Sequence, residues 1–203
     1  MITEDGLHEA IMQGREQRGM EFKGPGRRTD KAFQVKIIRA VLGMANNPGG
    51  GVVVVGVDDN GIEIIPTGLS TGELATWPYD DFASNVSNYA DPYVDFDIGV
   101  VKMGGKAFVA IEVKQFDELP VICKKSYQGV LRDGALYVRR KGKNETVEVP
   151  SHVEMREIVS RAAEFAARQI VATYVDLQGH LKTNEAAISN SEMSFDQEAK
   201  DLL

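Results

Sequence analysis

The sequence predicts an α+β fold, a mixed and mostly antiparallel sheet flanked by helices, and three observations carry that prediction. Helical and strand periodicities are interleaved along the chain in the order αβαββαββ(β)βα. Successive strand-like segments are joined by short turn signals, "DDNG" at 58–61 and "MGGK" at 103–106, which build hairpins. The segments "MEFK" and "VVVVGV" flank one helix and are expected to be neighbours in the sheet.

Residues 3–16 read as the first helix. Thr3 can cap it, Glu4 and Asp5 suit its first turn, and Leu7 and Ile11 share a face. "MEFK" (20–23) follows as a short strand, with Met20 and Phe22 on one face and Glu21 and Lys23 on the other. "GPGRR" ends it. Asp30 is a good N-cap for a helix to about Ala45, with Phe33, Ile37, Val41 and Met44 facing a core. "NNPGGG" stops that helix. "VVVVGV" is a continuous apolar run and reads as a central strand buried on both faces. "DDNG" then turns the chain into "IEII", an antiparallel neighbour. Residues 79–90 form a second short helix, ended by Asp91-Pro92. "YVDFDIGVV" and "AFVAIEVKQF" make a hairpin, "PVICK" and "ALYVRR" are further strands, and Ser151 caps a helix to about Ile170. The expected organisation is a domain over 1–170 and an acidic tail over 171–203, mobile or docked on a protein partner. That tail has six acids and two bases, a net charge of −4.

With 203 residues, 43% of them hydrophobic and 26% charged, the chain suits one domain plus some extra length. No apolar run approaches the ~20 residues that span a bilayer, so no membrane partner is expected. The N-terminus lacks the basic and apolar regions of a signal peptide. Cys123 is the only cysteine, so no intramolecular disulfide forms. A cytoplasmic protein is expected.

The net charge is −7, which argues against a general nucleic-acid binder, but it is polarised. Residues 124–143 hold seven Lys and Arg against Asp133 alone, a local +6, which leaves −13 elsewhere. Such a stripe contacts phosphate or is a solvated pair of strand faces, and composition does not choose between them.

"NNPGGGVVVVG" is not a phosphate loop of ordinary order, because a helix precedes the glycines and a strand follows them. A tight helix-to-strand turn explains it. No Cys and His set has zinc spacing, and His8, His152 and His180 stand apart. The carboxylates are more suggestive. Metal-dependent phosphodiesterases need oxygen ligands for Mg2+ or Mn2+ and a nearby lysine, and Glu21 and Lys23 share a strand face. Asp58 and Asp59, leaving the buried strand, could join them or simply serve the turn. The residues alone leave both readings open.

"RGMEFKGPG", then "GMANNPGGGVVVVGVDDNG", then "ELPVICKK" and "ALYVRRKGKNET" resemble the AlbA-like domain of Schlafen proteins and their bacterial relatives, over roughly residues 9–165. The resemblance implies the α+β fold above. From the family's nuclease members it implies a Mn2+ or Mg2+ site of Glu16, Glu21 and Asp59, with Lys23 as a further catalytic residue. The reaction would be cleavage of structured RNA such as tRNA. Arg27, Arg28, Lys124, Lys125, Arg132, Arg139, Arg140, Lys141 and Lys143 would hold the nucleic acid, RNA favoured over DNA. Since long Schlafens clamp RNA between two lobes, one lobe implies a homodimer. A setting such as antiviral defence follows only by analogy. Other members are DNA-binding or regulatory, so the alternative is a non-catalytic nucleic-acid-binding module, with ATP binding less favoured.

Overall fold

The computed structural model describes residues 2–13, 19–59, 61, 63–140 and 145–201, with side chains described through residue 178. The first compact unit is Met1–Val159 and the second is Ser160–Leu203.

In the first unit, helix α1 spans Glu4–Met12 and is capped by Thr3, whose hydroxyl accepts from the Gly6 amide at 3.2 Å. Strand β1 is Met20–Lys23. Helix α2 is Lys31–Ala45, with Asp30 accepting from the Ala32 and Phe33 amides as its N-cap. Strand β2 (Gly51–Val55) runs through Gly56 into β3 (Val57–Asp59), which forms a hairpin with β4 (Ile64–Pro66). Thus the "DDNG" hairpin exists, but it is β3 and not the central strand that pairs with the "IEII" segment. Helices α3 (Thr71–Leu74) and α4 (Tyr79–Ser87) follow, then β5 (Ala90–Asp91), β6 (Phe96–Met103) and β7 (Lys106–Val113). Strands β8 (Ile122–Cys123), β9 (Tyr137–Arg139) and β10 (Thr146–Glu148) complete the set.

The main sheet has the order β1-β2-β7-β6. Its only parallel pair is β1 with β2, joined by α2 as a crossover; the other neighbours are antiparallel. The architecture is therefore the mixed, mostly antiparallel α+β sheet that the pattern predicts. Register assigns the two faces. Phe22, Val54, Ala110, Phe108 and Val101 pack with Leu7 and Ala10 of α1. Glu21, Val53, Val55, Val109 and Ile111 point to the opposite face, where α2 packs on β2 and β7. Val53, Val54 and Val55 are all fully buried, as a central strand requires.

Helix α2 is buried on more than one side, because β9 and β10 cover it as well as the sheet. Gly43 makes that close approach possible. A Cβ there would lie 2.5 Å from Thr146 Cγ2. The "ANNPGG" turn is structural. The Asn46 amide donates to the Val121 and Tyr137 carbonyls, at 2.8 and 3.0 Å, and its oxygen accepts from the Val121 amide at 2.9 Å. Asn47 closes the turn on the Gly50 carbonyl at 2.7 Å. Gly50 has φ +72° and lies so near β7 that a Cβ would meet the Val113 carbonyl at 2.1 Å.

Helix α5 runs His152–Asp201, with the Val153 amide donating to Ser151 Oγ at 3.1 Å. Its first turns belong to the first unit, where Ile158 is buried. The second unit is the rest of α5. The helix therefore passes the expected end near Ile170 and covers the segment read as loop-like. No proline interrupts residues 151–203, and Ala, Leu, Gln, Glu and Lys there favour a continuous helix. Among the described residues no helix is long and apolar enough to cross a membrane.

Candidate functional site

Strand alternation on β1 places Glu21 and Lys23 on the α2 face, at the edge of the main sheet. The β9–β10 hairpin closes over that edge. Arg139 at the end of β9 and Thr146 at the start of β10 are paired in register, and both reach Glu21. Arg139 Nη1 donates to Glu21 Oε2 at 2.7 Å, and Thr146 Oγ1 donates to the same oxygen at 2.6 Å. Lys23 Nζ lies 2.5 Å from Glu21 Oε1. Arg139 Nη2 also donates to the Met20 carbonyl at 2.8 Å. The Glu21 side chain is 4% exposed and that of Arg139 is 0% exposed, whereas that of Lys23 is 24% exposed.

Burial by itself would raise the Glu21 pKa. The Lys23 and Arg139 charges and the hydrogen bonds from Lys23 and Thr146 outweigh it, and the carboxyl is held below its ordinary value. Glu21 is therefore an anion at neutral pH with both oxygens occupied by protein donors.

Asp58 lies beside the far end of β1. A Cβ on Gly24 would come 2.3 Å from its Oδ1, and Thr67 Oγ1 donates to its Oδ2 at 2.7 Å. Asp59 serves the turn, accepting from the Gly61 amide at 2.8 Å. Glu16 lies outside the described residues, as do Lys141 and Lys143. Among the described residues no three His, Cys, Asp or Glu side chains gather as metal ligands. Glu21 Oε2 takes two protein donors and Oε1 takes one, so the described residues alone do not assemble a ligand set for Mn2+ or Mg2+.

The basic residues separate into two kinds. Arg139 is buried against Glu21 and faces no solvent. Arg28 is anchored, its Nε and Nη2 donating to the Thr76 carbonyl at 2.5 Å and to Asp81 at 2.7 Å. Arg132 pairs with Glu148, and Arg140 with Glu145 at 3.0 Å. Arg27, Lys124 and Lys125 are exposed. Lys125 Nζ sits 5.7 Å from the ring centroid of Tyr89, and Lys31 Nζ of α2 approaches the same ring at 5.2 Å. The sequence reading missed Lys31 and the Arg139–Glu21–Thr146 lock. An arginine inside a strand of buried neighbours, Tyr137 and Val138, was the available signal for the lock.

No curated protein matches the chain. Two solved structures resemble it in outline. One is the DIP2311 protein from Corynebacterium diphtheriae, at 20% identity and TM-score 0.46, over 72% of this chain and 26% of that one. This chain thus spans about a quarter of that protein's length. The other is the N-terminal domain of a protein from Nitrosomonas europaea described as ATP-dependent DNA helicase RecG-related. It is 22% identical, with TM-score 0.49, over 75% of this chain and 97% of that domain. The profile of the Schlafen, AlbA_2 family matches residues 16–148, which contain all ten strands and the lock on Glu21. The chain belongs to the Schlafen AlbA_2 family.

Proposed function

We propose that this domain binds nucleic acid through the phosphate backbone and that Glu21 is a structural anchor, not a metal ligand. The observation that carries this reading is the engagement of both Glu21 oxygens by protein donors, Arg139 and Thr146 on Oε2 and Lys23 on Oε1. Family membership supports a nucleic-acid-related role. The exposed Lys and Arg side chains free of carboxylate partners supply the electrostatic attraction.

The second reading is a divalent-metal-dependent endoribonuclease acting on structured RNA such as tRNA. Lys23 favours it, being partly exposed beside Glu21 and close to the strand end where Asp58 lies. Incubation with total tRNA and Mn2+, with and without EDTA, separates the two when run beside Lys23→Ala. The binding-module reading expects intact tRNA in every lane and retained binding. Metal-dependent fragments that vanish in Lys23→Ala would overturn it and establish the nuclease.

The same proposal includes a homodimer that doubles the binding face, RNA being preferred over DNA. Its apolar contact would come from α5, where Ile170, Val171, Tyr174, Val175 and Leu177 are all more than half exposed.

A further inference from the structure

We infer that Lys31 and Lys125, converging on Tyr89, form a cradle for the phosphodiester backbone of a nucleic acid. This rests on the nucleic-acid reading above and specifies where contact occurs. The two lysines come from separate elements, the first turn of α2 and the segment after β8. Both ammonium groups nonetheless lie within 6 Å of one ring centroid, at 5.2 and 5.7 Å. Lys31 Nζ donates to Gln34 Oε1 at 2.8 Å, and the Lys124 amide is pinned to the Tyr89 carbonyl at 2.8 Å. Two exposed ammonium groups held near one ring concentrate positive charge that phosphate oxygens would neutralise.

Asp30, which precedes Lys31, is the N-cap of α2 and accepts from the Ala32 and Phe33 amides. Among the described residues neither Lys31 nor Lys125 has an ion-pair partner. Tyr89 is 2% exposed, so its ring steadies the lysines and offers no face for a base to stack on. The cradle would therefore take phosphate and read no sequence. Lys31 and Lys125 would each meet a phosphate oxygen.

The experiment is fluorescence anisotropy with a labelled single-stranded RNA and a labelled DNA duplex, titrated at several salt concentrations. It compares the full chain with Lys31→Gln/Lys125→Gln and with Lys102→Gln, an exposed lysine on β6. The double variant should bind on the order of tenfold more weakly, by the same factor for shuffled sequences. Its slope of log affinity against log salt should flatten by about 1.4 on single strands or about 1.8 on the duplex, two contacts' worth. Lys102→Gln should match the unsubstituted protein, and unchanged melting temperatures would show that the folds are intact. The probe that loses more identifies which backbone the cradle serves. If the unsubstituted protein binds neither probe, the nucleic-acid reading falls and the cradle with it. If it binds and the double variant keeps the same affinity and slope, the cradle alone is overturned.

Discussion

At the scale of the residue, Glu21 shows how a motif can be legible while its chemistry is not. "EFK" places a carboxylate and an ammonium on one strand face, and that much held. What the local sequence does not contain is Arg139, 118 residues away, or Thr146, 125 residues away. Removing one partner of a buried ion pair strands the other charge. Glu21→Gln and Arg139→Leu should each cost about 3–5 kcal/mol of unfolding free energy, and replacing both by leucine should cost less than the sum of the single changes. Denaturant midpoints at constant slope measure this. The pH dependence has a definite sign. Glu21 has a folded pKa below its ordinary 4.5, so its contribution is complete above that value and is lost as pH falls below it. Thermal melts from pH 7 down to 2.5 should show a steeper loss below 4.5 for the native chain than for Glu21→Gln.

At the scale of the element, two helix-end features decide the packing. Alanine at position 43 would gain helix propensity of about 1 kcal/mol. It would also drive a Cβ to 2.5 Å from Thr146 Cγ2, on the residue that holds Glu21. Overpacking should win, and Gly43→Ala should destabilise by about 1–3 kcal/mol. Thr146→Ser removes the nearest atom and should restore part of that loss. Asn46 is the second feature. Its side chain makes three hydrogen bonds to Val121 and Tyr137, so Asn46→Ala should cost about 2–4 kcal/mol and leave buried carbonyls unpaired. Equilibrium unfolding of each variant checks both. The glycines and asparagines of "ANNPGG" were readable as a turn. The partners of Asn46 were not, because they lie 75 and 91 residues away.

At the scale of the whole molecule, the charge stripe was visible in composition, yet its residues have different fates. Arg139 is inside, and Arg132 and Arg140 are spent on Glu148 and Glu145, while Lys124 and Lys125 remain available. Assembly belongs to this scale too. If α5 joins two copies, sedimentation equilibrium at micromolar concentration should give twice the 22.3 kDa chain mass, and Ile170→Glu/Tyr174→Glu should return a monomer with the melting behaviour of the first unit unchanged. A native chain that sediments as a monomer would remove the homodimer from the proposal.

Periodicity, caps and turn residues determined the α+β class, the strand faces and most element starts, since each depends on neighbours within a few positions. Asp30, Ser151 and the "MGGK" turn are examples, because a cap or a tight turn is complete within its own stretch of chain. Only the tertiary structure decided which groups Glu21 touches, which cations pair with carboxylates, and that Lys31 joins Lys125 at Tyr89. Those outcomes turn on burial and on contacts between distant segments. A charge is worth little or much according to the water it loses and the partner it gains, and neither is written in the residues beside it.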